Sequence, residues 1–160
     1  MRKRKPKVRV LQPDPRYGDQ MVTRFVNNLM WKGKKSVAFS IFYKAMDIIK
    51  ERSSESESEH EVWKTALANA TPQLEVRSRR VGGSTFQIPT EIPANRRTSI
   101  GMKWLIRFAR ERSGKGIADK LANELLAASK GEGAAVKRKE DTHRMAEANR
   151  AFAHFNRRKR

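Results

Sequence analysis

The sequence predicts a mainly α-helical fold: a six-helix domain with one β-hairpin between helices 3 and 4, plus basic terminal arms. Three observations predict it. Apolar residues recur at helical spacing in six separate stretches of the 160-residue chain. One stretch only, residues 74–88, changes to alternation around a Gly-Gly pair. The ends are almost purely cationic and poor in apolar groups.

The elements follow in order. Residues 2–9 are a basic block containing Pro6, too repulsive to pack alone and suited to ordering on a polyanion. Pro13 and Pro15 keep the next residues extended, and Gly18 permits a turn. Helix 1 carries Val22, Phe25, Val26 and Leu29, with Asp19 as N-cap and Gly33 as stop. In helix 2, Val37, Ile41, Ala45, Ile48 and Ile49 are expected to face inward, with Ser36 as its cap. The acidic serine run 53–59 reads as a solvated connector whose last residues cap helix 3. That helix should bury Val62, Ala66, Leu67 and Ala70 and end at Pro72.

Leu74 to Arg79 alternates apolar or small with charged residues, and Gly82-Gly83 offers a two-residue turn that needs positive φ. Thr85 to Ile88 alternates back, and Pro89 should close the hairpin. Helices are then expected at about 93–112, 116–129 and 134–153. Ile117, Leu121, Leu125 and Leu126 should face inward in the second of these, while the third is polar enough to project. Trp31, Trp63 and Trp104 are expected in or near the core, and His60 on the surface. The expected boundaries are 1–18 for the N-terminal arm, 19–155 for the helical domain with its hairpin at 74–88, and 156–160 for the basic tail.

Lys and Arg number 36 against 17 Asp and Glu, a net charge of +19, and the excess is segregated. Residues 1–35 hold 11 basic and 2 acidic groups, and residues 73–120 hold 11 and 4. Between them, residues 36–72 hold 4 and 6. Like charges gathered together destabilise a fold unless a partner neutralises them, so this pattern predicts a face laid against phosphates. A cationic solubility shell would be spread more evenly. Cys is absent, which excludes disulfides, thiolate zinc sites and cysteine nucleophiles. The leading residues lack the apolar core of a secretory signal, and no apolar run is long enough to span a bilayer, so no membrane partner is expected.

Four stretches could carry the contact. Arg77, Arg79 and Arg80 sit on the hairpin, where guanidinium forks suit phosphates; Phe86, on the opposite strand, could stack on a base. On the 93–112 helix, Arg96, Lys103, Arg107 and Arg110 line one side at 100° per residue, with Arg97 beside them. Lys32, Lys34 and Lys35 crowd the corner after helix 1, more cations than a helix dipole needs. Arg2, Lys3, Arg4, Lys5, Lys7 and Arg9 make up the arm.

Catalytic readings fail on spacing. Gly114-Lys115 lacks the upstream glycine of a phosphate loop, and His60-Glu61 lacks the second histidine of a zinc protease. No catalytic residue, cofactor or metal site is expected. An RNA-processing enzyme would need an acid, base or metal constellation that is missing. An architectural DNA protein would need an apolar wedge at the Gly82-Gly83 tip, which also is missing.

At this point three blocks become recognisable. Asp19-x-Met21-x3-Phe25-Val26-x6-Gly33-Lys34-Lys35-x5-Ile41-Phe42-x2-Ala45 resembles the signature of the bacterial-type small-subunit ribosomal protein seven family. Leu74 to Gly83 and Asp141 to His154 resemble two further blocks of that family, in the right order. Phe86 stands where tyrosine is common, and the 53–59 connector is unusually acidic.

The resemblance implies a hairpin that protrudes from a six-helix domain. It implies a non-enzymatic, primary binder of small-subunit rRNA that nucleates assembly of the head, in the 3′ major domain, and acts in translation. It also implies a position at the subunit interface near the exit-site tRNA and the mRNA path. Gly82, Gly83, Phe86, His143, Arg144, Arg150 and His154 would then lie near tRNA or message, and small-subunit proteins nine and eleven would be neighbours. The setting implied is a cytoplasmic ribosome, or an organellar one.

Overall fold

The computed structural model describes residues 9–53 and 58–156. Its α-helices are α1 (Gln20–Leu29), α2 (Lys35–Arg52), α3 (Glu59–Ala70), α4 (Ala94–Glu111), α5 (Ile117–Ser129) and α6 (Ala134–Ala148). Strands β1 (Leu74–Val81) and β2 (Ser84–Glu91) form an antiparallel hairpin between α3 and α4, and a 3-10 helix covers Arg150–Asn156. The predicted fold class is therefore the observed one.

Local chemistry sets the helix starts. The Asp19 side chain accepts from the Met21 N–H, and Ser58 with Glu61 closes a reciprocal capping box at α3. Ser36 does not cap α2: the helix begins at Lys35, and Lys34 at the cap makes no side-chain bond.

Helix α5 packs against α2, α3, α4 and α6, so Leu121, Ala122, Leu125 and Ala128 are fully buried. Beside it Trp63, Phe25 and Phe42 meet with ring centroids 5.6–6.1 Å apart, all without solvent exposure. Truncating a ring so enclosed costs about 3–5 kcal/mol.

Four expectations give way here. The inward face of α2 is Ala38, Phe42, Ala45, Met46 and Ile49, while Val37 is 51% exposed and Ile41 and Ile48 are half-buried. Apolar residues cover well over half the circumference of this helix, so more than one face satisfies the same spacing. Pro89 does not close the hairpin; it pairs with Val76, and β2 runs on to Glu91. A two-stranded ribbon has outward-facing positions where a missing N–H costs nothing. The last α-helix stops at Ala148 rather than near 153, because Phe152 and Phe155 turn back onto the hairpin. His60 is half-buried, stacked between Tyr17 and Trp63.

Two buried carboxylates lock the frame. Asp14, 1% exposed, accepts from the Arg16 and Tyr17 N–H groups and from the Tyr43 hydroxyl at 2.7 Å. Burial and that bond push the Tyr43 phenol up to about 12. Glu124, fully buried, accepts from Arg112 at 2.7 Å and from the Ala135 N–H at 3.0 Å, tying the end of α4 to the start of α6. Gly101 sets the approach of α4 to α3: a Cβ there would lie 2.7 Å from Thr71 Oγ1.

Candidate nucleic-acid interface

The placement of α4 decides how the cationic stretches relate. Its buried side is Gly101, Met102, Leu105, Ile106 and Ala109, which leaves Arg96, Lys103 and Arg107 exposed along the other side. From Arg96 to Arg110 the helix advances about 21 Å at 1.5 Å per residue.

Its N-terminal end meets the hairpin. Glu75 on β1, with its side chain 15% exposed, pairs with Arg77 on the same strand and with Arg96 Nη2 at 3.1 Å. One carboxylate thus holds two guanidinium groups and leaves a net positive charge between hairpin and helix. Arg97 turns the other way, donating to the Ile92 carbonyl at 2.6 Å.

The C-terminal end of α4 meets the α1–α2 corner. Arg110 donates to the Leu29 carbonyl at 2.9 Å and lies 4.6 Å from the Trp31 ring centre. Lys32 at φ +51° and Gly33 at φ +74° fold the corner tightly, and Lys32, Lys34 and Lys35 are all exposed on it. Lys103, Arg107 and Arg110 border a shallow depression with Asn28 of α1.

The hairpin itself extends Arg79 and Arg80 toward a turn in which Gly82 and Gly83 have φ of +58° and +91°. Ile88 and Ile92, 2% and 1% exposed, root its base in the protein. Its outer half leans on the C-terminal 3-10 helix. Phe86 sits 5.2 Å from Phe152 and 5.5 Å from Phe155, and Arg79 donates to the Phe155 carbonyl at 2.7 Å. The Phe86 ring, considered above as a base-stacking edge, is engaged within the protein.

Between hairpin, α4 start and α6 runs an open cleft of about 1210 Å³, bordered by Arg77, Arg79, Arg97, His143 and Arg150. His143 Nε2 accepts from the Gln73 N–H at 3.0 Å, and burial with nearby Lys139 holds its pKa below the usual histidine value. Arg144 and Arg150 are exposed on α6 and the 3-10 helix; His154 is exposed with Nδ1 2.8 Å from the Ala151 carbonyl. Arg9 is exposed, while Arg2, Lys3, Arg4, Lys5 and Lys7 lie outside the described residues.

Two participants are not legible as site residues from the sequence alone. Glu75 was an ordinary alternating charge, legible only once its two arginines were placed. Trp31 was expected in the core but is 69% exposed, carried outward by the corner that begins after α1.

Arg77, Arg96, Lys103, Arg107, Arg110 and the corner lysines thus form one track from hairpin through α4 to corner, with Arg97 turned away from it. The profile of the family described as ribosomal protein S7p/S5e matches residues 1–150. The chain belongs to that family. Small ribosomal subunit protein uS7 of Cytophaga hutchinsonii is 62% identical over 155 residues, covering 97% of this chain and 99% of that protein. The protein of the same name from Porphyromonas gingivalis is 64% identical over 156 residues, and that of Flavobacterium psychrophilum 60%, each covering 97% of this chain and 99% of the relative. The S7p/S5e family is a structural, non-enzymatic class of small-subunit ribosomal protein. No helix among the described residues is long and apolar enough to cross a membrane.

Proposed function

We propose that this chain is a primary rRNA-binding protein that nucleates the head of the small subunit, in the 3′ major domain, and supports translation there. The continuity of the α4 stripe with the hairpin base at one end and the lysine corner at the other carries this reading. A track about 21 Å long between two fixed ends matches a folded RNA rather than a single phosphate cluster. Phosphate contacts supply strength, and the rigid spacing of hairpin and corner supplies register against RNA shape.

In the same reading the arm residues 1–18 and the tail 156–160 add positive charge to the 19–155 domain. The cleft beside the hairpin, with His143, Arg144, Arg150 and His154 near it, faces the exit-site tRNA and the mRNA path. Small-subunit proteins nine and eleven are its neighbours.

Salt dependence tests the mechanism. If about 6–8 phosphates are neutralised, the logarithm of the binding constant for the 3′ major domain RNA falls with log salt at a slope of about −4 to −7. Chemical probing should show a discrete protected region in that RNA. A slope near zero, or protection scattered across the whole rRNA, overturns the reading.

A further inference from the structure

We propose that Trp31 is a nucleobase platform: its outward indole face receives an unpaired base of the bound RNA, while Arg110 covers the inward face. The inference rests on the RNA-binding reading above and names a contact that charge alone does not require.

Trp31 is 69% exposed, although an indole of this size ordinarily gains most of its stability by burial. The corner after α1 carries Trp31 outward, and the ring is not among the side chains packed on the hydrophobic core. Helix α1 ends at Leu29, and the corner that follows is closed by the Lys34 N–H donating to the Trp31 carbonyl at 3.0 Å. Trp31 is therefore held by its backbone, and its side chain is free to serve another purpose.

The ring is also oriented. The Arg110 guanidinium lies 4.6 Å from its centre and is itself fixed by the bond to the Leu29 carbonyl at 2.9 Å. With the guanidinium over one face, the opposite face of the indole stays open for stacking, and an already positioned plane loses little entropy on stacking.

The surroundings select the occupant. Lys32, Lys34 and Lys35 share the corner, and Arg107 and Lys103 precede Arg110 by about one and two turns of α4, all five exposed. An apolar protein segment would find one isolated ring in a field of cations, whereas a nucleotide offers a π-face for the indole and phosphates for the lysines. A paired base has both faces occupied, so the base is bulged, looped or splayed.

The test compares the full-length chain with Trp31→Phe and Trp31→Leu, using a transcript of the 3′ major domain of small-subunit rRNA over a range of salt. Trp31→Leu should bind about 5- to 150-fold more weakly, the range for one base–aromatic stack. Its salt slope should match that of the parent, because no phosphate contact is removed. Trp31→Phe keeps a π-face and should recover most of the affinity. Tryptophan emission should be quenched on RNA binding in the parent, and that quenching should vanish in Trp31→Phe.

Equal binding by Trp31→Leu overturns the proposal, as does quenching that survives Trp31→Phe. A fall in affinity accompanied by a shallower salt slope also overturns it, since the ring would then act by placing lysines. Normal RNA binding by Trp31→Leu with failure to assemble into subunits would assign the ring to a protein neighbour instead. Failure of the parent itself to bind with a steep slope is a different result, and it removes the RNA-binding reading as a whole.

Discussion

The two ends of α4 carry similar charge by different means. At the hairpin end the cations are arginines, and the protein already grips them: Glu75 holds Arg77 and Arg96, and the Phe155 carbonyl accepts from Arg79. At the corner end they are mostly lysines on a tight turn, and Lys32, Lys34 and Lys35 stand exposed. A planar guanidinium fixed in direction reads phosphate geometry, whereas an ammonium on a flexible stem acts as a point charge. If the track binds RNA as proposed, the fixed arginines should contribute more to register than the corner lysines, and the lysines chiefly attraction.

The largest effect should come from breaking the hairpin end. Replacing Arg77, Arg79 and Arg80 together with Ala should weaken binding to the 3′ major domain RNA by roughly one to two orders of magnitude. Far-UV circular dichroism should be unchanged, since all three side chains are exposed. Footprinting checks the result, and intact protection would remove the hairpin from the interface. Replacing Lys34 and Lys35 with Ala should cost less. The salt slope should become shallower by about 1.4–1.8, while the preference for the proper RNA over an unstructured RNA stays constant. A loss of preference would show that the corner sets register too.

Glu75→Gln sharpens the comparison because two ideas predict opposite signs. If only charge matters, removing an acid from a basic protein tightens binding to every RNA. If the carboxylate preorganises Arg77 and Arg96, binding to unstructured RNA tightens slightly while the preference for the folded domain falls. The second outcome is expected, with a drop of about 2- to 10-fold for two side chains that must be ordered anew.

These contrasts were only partly visible in the sequence. The α4 stripe is legible because Trp104, Leu105, Phe108 and Ala109 fall on the other side; the structure buries Leu105 and Ala109 fully and leaves Trp104 and Phe108 half-buried. The face of α2 is not legible, since Phe39, Ile41, Phe42 and Tyr43 crowd the same turn and only tertiary packing selects Phe42 for full burial. Trp31 was misplaced because composition says indole means core, while the positive φ of Lys32 and Gly33 turns the chain before the ring can reach it. The end of α6 was misjudged for a related reason. Helical spacing continues past Ala148, but the contacts of Phe152 and Phe155 with Phe86 are long-range and leave no local sign.

The smallest expected effect again separates the two ends, this time by pH. At the hairpin end His143 accepts the Gln73 N–H, a bond available only to the neutral ring. Burial first, and Lys139 second, lower its pKa below the ordinary 6.5. A histidine depressed in the folded state binds its proton more readily when unfolded. Its contribution is therefore complete above 6.5 and is lost as pH falls from there through the lower, folded value. Acidification over that window should loosen the junction of Gln73 with α6, lowering the amide protection factor at Gln73. The corner from Trp31 to Lys35 holds no histidine, so amide protection there should hold steady over that window. Imidazole titration by NMR gives the check, with a His143 midpoint below 6.5 and a flat stability profile in His143→Gln. A midpoint at or above 6.5 would mean that the Gln73 bond is not what holds the hairpin's root, and the rigidity ascribed to that end would have to come from Ile88, Ile92 and Glu75 alone.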